Sequence, residues 1–290
     1  MSVGRIKDKN CPLFKYFCNC EHNHLLLYAM TKYLLFYLAA FPVFLSAQNF
    51  NISFRSKMTF PGQTAANICG YAANGREYAL VGASRGLVIV DITDPDVPAK
   101  IGQLPGPNSL WKEIKTYRHY AYVTSEGGQG VQIVDMSQLP ATNPAYKFYT
   151  GDGAIDQKLN TIHALHIDTT KGYLYAYGSN LFTGGAIVLD LKDPWNPVYA
   201  GHFDDLGYIH DGWVDNDTLY GSHIYTGSFS IVDMRDKTKP VVLGLQRTPN
   251  AFTHNTWMSK DRSVIFATDE VDNSYLSAFD IRDPQDIKFL

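Results

Sequence analysis

The sequence predicts an all-β fold, a β-propeller of four-stranded blades. Three observations carry this: a five-fold internal repeat, the alternation of strands and turns inside each copy, and the lack of any helical heptad or ten-residue amphipathic run. The stretch GLVIVDITDP at residues 86–95 returns as GVQIVDMSQL (130–139), AIVLDLKDP (186–194), FSIVDMRDK (229–237) and LSAFDIRDP (276–284). Aligning Asp91, Asp135, Asp190, Asp233 and Asp280 gives spacings of 44, 55, 43 and 47 residues. A period in the forties marks an array of structural repeats. Each copy is an apolar, β-branched run closed by Asp and a turn, as a buried strand ending in a turn should be. Because the aspartate recurs in every unit, its expected role is to accept backbone hydrogen bonds in that turn.

Each repeat reads as four short strands, the pattern of a propeller blade. In the first, residues 66–71 (ANICGY) lead through Asn74-Gly75, the strongest hairpin signal in the chain, into 77–82, then 86–92 and 99–104. The second runs through 110–116, 120–125 and 130–136, and its polar tail, 137–158, reads as an exposed insertion. The third uses 161–168, 173–177, 186–191 and 198–202, and the fourth 208–214, 218–222, 229–234 and 241–245. The fifth has 253–258, 264–268 and 276–281 but no clear fourth strand. About five repeats are therefore present and the last is expected to be incomplete, leaving blade faces uncovered.

At 290 residues the chain is long enough for one large β domain. Aromatic residues make up 13% and charged residues 18%, with 23 glycines, which suits a turn-rich β protein and excludes a disordered one. The net charge of −3, with no concentrated basic face, argues against a nucleic-acid partner.

The N-terminus reads differently. Cys11, Cys18, Cys20, His22 and His24 are too tightly spaced for a standard zinc site. From Met30 onward, a short basic region, an apolar stretch at 33–45 and a small residue at Ala47 have the anatomy of a secretory signal peptide. The apolar stretch contains Pro42 and is short for a spanning helix, so no permanent membrane span is expected after cleavage. The expected organisation is an upstream extension at 1–29, a signal peptide at 30–47, a linker at 48–58 and the propeller at 59–290. Cleavage would leave Cys69 as the only cysteine, expected to be a small buried apolar residue with no disulfide partner.

The LVIVD run at 87–91, LWKEIK at 110–115, THNTW at 253–257 and TDE at 268–270 resemble, in matching order, the choice-of-anchor B family of secreted bacterial LVIVD-repeat proteins. The resemblance covers about residues 59–290. Members of that family look like longer chains with further repeats and variable C-terminal anchoring or secretion signals. Here Asn67-Ile68-Cys69-Gly70 stands where the family tends to show an acidic residue and a Trp. The resemblance implies an exported surface protein and carries no established reaction.

The residues that open the repeats are the main candidates for chemistry. Asn67, Glu113, His163, His210 and His254 fall at roughly corresponding positions of the first strands, which line the central channel of a propeller. Histidines and a carboxylate converging from different blades make a candidate site for a divalent metal ion, with Glu113, His163, His210 and His254 as ligands. Strand alternation sets His166 on the face opposite His163. Glu126, His223 and Glu270 form a second candidate ring at the ends of the second strands, as ligands, orienting partners or a general base. The competing reading is that both rings only satisfy backbone groups and hold blades together.

Weaker signals are set aside. Gly82-Ala83-Ser84-Arg85-Gly86 matches G-x-S-x-G, but a strand follows where a nucleophile elbow requires a helix. Asp269, Glu270, Asp272 and Asn273 lack the full calcium-loop spacing. Trp111, Trp213 and Trp257 are expected to pack between blades, with stacking on a sugar at the channel mouth as the minority reading. The sequence thus points to an exported or cell-surface binding and interaction protein, its partner an extracellular protein or glycan. The rival is a metal-dependent enzyme, such as a hydrolase, with a His/Glu site in the channel.

Overall fold

The computed structural model describes residues 52–155 and 157–290; the cysteine/histidine cluster and the signal-peptide segment lie outside the described residues. The unit Arg55–Leu290 consists of five antiparallel sheets, each of four strands hydrogen-bonded in chain order. The first sheet is β1 (Ala65–Ala73), β2 (Arg76–Ala83), β3 (Gly86–Asp91) and β4 (Ala99–Pro105). The second is β5 (Lys112–Tyr117), β6 (Tyr120–Ser125), β7 (Val131–Asp135) and β8 (Tyr146–Tyr149). The third is β9 (Ala164–Asp168), β10 (Tyr173–Tyr177), β11 (Ala186–Asp190) and β12 (Val198–Phe203). The fourth is β13 (Asp211–Asp215), β14 (Thr218–His223), β15 (Ser228–Asp233) and β16 (Val241–Arg247). The fifth is β17 (Thr253–Met258), β18 (Val264–Asp269), β19 (Ser277–Asp280) and β20 (Lys288–Phe289). Their first strands lie side by side, β1 against β5, β5 against β9, β9 against β13 and β13 against β17, so the sheets stack as the blades of a propeller. Among the described residues, no helix is long and apolar enough to cross a membrane.

The repeated apolar run becomes the third strand of each blade because it is covered on both faces. Leu87 and Ile89 pack with Ile114, Val123 and Val134 of the second blade. Their neighbours Val88 and Val90 turn the other way, toward Met58 and Phe60. In the third blade, Ile187 and Leu189 face the second blade while Ala186 and Val188 face the fourth. Burial on two faces explains a continuous hydrophobic run in place of a polar alternation. Each such Leu or Ile contributes about 1.5–3 kcal/mol.

The closing aspartates take the role expected of them. In all five, a side-chain oxygen accepts the backbone N–H two residues on, from Thr93, Ser137, Lys192, Arg235 and Arg282, at 2.7–3.1 Å. The glycine that opens β3 is equally determined: Gly86 has φ 137, and a Cβ there would lie 2.1 Å from the carbonyl oxygen of Leu104 on β4.

Three expectations need correction. The tail at 137–158 is no mere insertion: it contains β8, and its Leu139, Tyr149 and Ile155 enter the cores on either side of the second blade. The fifth blade does have a fourth strand, since Lys288 and Phe289 pair with Asp280 and Phe279. Of the three tryptophans, Trp213 packs between the fourth and fifth blades with Trp257 edge-on to it at 4.1 Å between ring centroids, although Trp257 stays more than half exposed; Trp111, also more than half exposed, does not take the expected place between blades. The outward face of the first blade does carry an uncovered apolar residue, Ile68 on β1.

Candidate functional site

The starts of all five inner strands line one cavity of about 260 Å³, and Asn67, Glu113, His163, His210 and His254 all reach it. The five positions paired by sequence alone are thus neighbours in space. Two of the histidines sit just before their strands yet are held by the same ladder. The N–H of His163 donates to the carbonyl of Tyr177, and that of His210 to the carbonyl of Ser222.

Three imidazoles form a row. The rings of His163 and His210 are 4.1 Å apart and those of His210 and His254 are 4.7 Å apart. Nδ1 of His163 lies 2.5 Å from Oε1 of Glu126. Nδ1 of His210 lies 3.2 Å from the carbonyl oxygen of His254, which can only accept, so this nitrogen carries the proton. Nε2 of His210 therefore keeps its lone pair. Burial, with His163 and His254 alongside, lowers the His210 pKa to about 4, leaving a neutral ring at physiological pH.

The second ring divides. Glu126 meets His163, and Glu270 approaches His254 with its Oε2 4.0 Å from Nε2. His223 does not join them. It is buried, its Nδ1 contacts the carbonyl of Tyr208 and its Nε2 the hydroxyl of Ser230, so both nitrogens are engaged in a structural role.

Glu113 lines the cavity, but its lone pairs are committed. It accepts the backbone N–H of Leu165 at 2.9 Å, joining β5 to β9, and it pairs with Lys115. His166 stands apart from the row, with its Nδ1 accepting the N–H of Val214 and its ring 4.7 Å from that of Trp213. This agrees with the alternation that separated it from His163.

Two cavity residues escaped the sequence reading. Asp211 is deeply placed, accepts the N–H of Gly212 at 2.7 Å and pairs with Asn255. Burial and the nearby Glu113 raise its pKa to about 7. Lys112 donates to the carbonyl of Pro107 at 2.6 Å and to Ser125, and burial lowers its pKa to about 8. The signal was present in both cases, as a charged residue beside a candidate, in the HDG and WKE triplets.

The remaining candidates are structural. Ser84 sits in the tight turn between β2 and β3, with a strand on either side. Asp269 is buried and accepts from the Thr248 hydroxyl and the backbone N–H groups of Asn250 and Phe252, so it has little capacity left for calcium. Cys69 is half-buried against the core of the first two blades, where burial pushes its thiol pKa up.

Comparison with known proteins agrees with this architecture. Residues 74–104, the span that includes β2, β3 and most of β4, match the LVIVD repeat family model. The chain carries an LVIVD repeat. No curated protein sequence matches it. Among solved structures, the LVIVD-repeat propeller is similar to the Cps50 (Swd1) β-propeller domain of Myceliophteria thermophila, at 11% identity, TM-score 0.52, and coverage of 78% of this chain and 73% of that one. A provisionally assigned 6-phosphogluconolactonase of Bacteroides uniformis gives TM-score 0.57 at 11% identity, over 77% of this chain and 70% of that one. A chain of the Mitotic Checkpoint Complex gives TM-score 0.58 at 10% identity, over 80% and 65%. At these identities the likeness is one of fold.

Proposed function

We propose that this LVIVD-repeat propeller is an exported protein of the choice-of-anchor B type that binds an extracellular partner, protein or glycan, at the mouth of its axial cavity. The carrying observation is the convergence of five inner strands on one cavity that combines polar side chains with an exposed indole. Trp111, 56% exposed, lines it. Nearby, Tyr225, 76% exposed, sits tilted against Tyr208 with ring centroids 5.0 Å apart, and the Tyr208 ring is 6.5 Å from that of His210. An exposed indole beside histidine and asparagine suits the apolar face and hydroxyls of a sugar. The segment from Met30 to Ala47 supports export.

A glycan array probed with the full chain tests the binding reading. Selective binding that weakens in Trp111→Ala supports a cavity-mouth site, and binding indifferent to Trp111 and Tyr225 contradicts it. N-terminal sequencing of the exported protein tests the rest: an end at or near Gln48 is expected, and an intact Met1 on cytoplasmic protein overturns export.

The pairing of His163 with Glu126 favours a second reading, a metal-dependent enzyme such as a hydrolase. In it Glu126, and not the committed Glu113, is the base that activates water.

A further inference from the structure

From the geometry of the cavity rim we infer that His210, His254 and Glu270 form a three-ligand site for a divalent transition metal such as zinc. The inference deepens the axial-cavity reading and rests on it only for location. One ligand atom from each residue lies within 4.8 Å of the other two. Ligands of a tetrahedral zinc sit about 3.3 Å apart, as bonds of roughly 2.0 Å require. The closure needed falls mainly to Glu270, an exposed side chain free to change rotamer.

Three details separate this cluster from a set of structural hydrogen bonds. The carbonyl of His254 holds the proton of His210 on Nδ1 and aims a bare Nε2 away from it, the orientation that an outer partner imposes on a ligating imidazole. His254 and Glu270 approach without closing a hydrogen bond, at 4.0 Å, so neither uses the other's ligating atom. By contrast Glu113, read as a ligand from the sequence, and His223, a member of the second ring, have their polar atoms spent on Leu165, Lys115, Tyr208 and Ser230. The structure thus selects within the rings. Two imidazoles and one carboxylate suit zinc or cobalt over magnesium or calcium. Three protein ligands leave a fourth position open, as in metal sites that take water or a ligand. His163, whose ring lies 4.1 Å from that of His210, is a neighbouring imidazole outside this set.

The test titrates the metal-free full chain with Zn²⁺ and Co²⁺, reading stoichiometry by metal analysis and geometry by the visible absorption of cobalt. One equivalent per chain is expected, with a four-coordinate cobalt spectrum and no displacement by millimolar Mg²⁺ or Ca²⁺. His210→Ala, His254→Ala and Glu270→Gln should each weaken Zn²⁺ binding at least tenfold, while His119→Ala should leave it unchanged. Absence of stoichiometric binding in the wild type, or unchanged affinity in any of the three variants, overturns the assignment. Glu270 is exposed, so loss of fold does not excuse a negative result there. Reading the glycan array with and without chelator separates the two claims: glycan binding by a chain that takes no metal defeats this inference alone, and metal without glycan defeats only the partner assignment.

Discussion

Nδ1 of His163 lies 2.5 Å from Oε1 of Glu126, joining the entrance of the third blade to the turn after β6 of the second blade. The pair sits beside the His210 ring and fixes which nitrogen of His163 faces the cavity. Glu126 is 39% exposed at its side chain, so solvent screens the pair and its worth to stability is under about 1 kcal/mol. Its consequence is orientation. Glu126→Ala should therefore leave the melting temperature nearly unchanged while ¹⁵N NMR of the His163 ring goes from an Nδ1-protonated form to a mixture of tautomers. An unaltered ring signal would show that Glu126 does not orient it.

Acid should destabilise the fold through His223. Burial lowers its pKa to about 4, against about 6.5 in the unfolded chain. Between those values the unfolded state binds the proton and the native state does not, so stability rises with pH. The contribution is complete above about pH 6.5 and is lost as pH falls toward 4, up to about 3 kcal/mol. Urea unfolding across this window should show the slope, and His223→Gln should flatten it. An equal slope in the variant would place the acid sensitivity elsewhere.

Lys112 works in the same sense, in a higher pH window. Its amine, lowered to about 8 by burial, binds a proton less readily folded than unfolded. Stability from this group is complete only above about pH 10.5 and is lost as pH falls through 8. At pH 7 the buried ammonium is held by the Pro107 carbonyl and the Ser125 hydroxyl alone. Lys112→Met should raise stability at pH 7 by about 1–2 kcal/mol. A loss of stability would mean that those two hydrogen bonds outweigh the burial of the charge.

Blade packing is sensitive at Gly244 on β16, where a Cβ would lie 2.1 Å from the carbonyl oxygen of Pro284 in the fifth blade. Backbone cannot yield as a flexible side chain would, so Gly244→Ala should cost more than about 2 kcal/mol. Calorimetry should show the loss; a change within about 0.5 kcal/mol would mean that the fourth and fifth blades separate freely.

Much of this molecule was legible in its sequence, for identifiable reasons. The runs ending in Asp91, Asp135, Asp190, Asp233 and Asp280 are buried on two faces and closed by the same turn, so five copies announce one architecture. The inner-strand positions Asn67, Glu113, His163, His210 and His254 followed, because equal offsets in equal blades converge on one axis. Outer strands were harder to see. The β8 run, YKFY, buries little beyond Tyr149 and lies among polar loop residues, and β20 is only two residues long. Equal offset also fails where neighbours differ. Glu126, His223 and Glu270 occupy matching positions, but only His223 meets a carbonyl and a hydroxyl that use both its nitrogens. Trp111 misled because size suggested burial between blades, whereas its place at the cavity rim leaves it exposed.

The central claim is that the mouth of the axial cavity is where this protein binds. The most direct test measures the affinity of the full chain for the glycan it favours on the array, comparing wild type with Trp111→Ala, His210→Ala and Tyr146→Ala. Tyr146, on the outermost strand of the second blade, is the exposed aromatic control. At least tenfold weakening in the two cavity variants and none in Tyr146→Ala is the predicted result. Binding that survives both cavity variants, or no selective binding by the wild type, would contradict it.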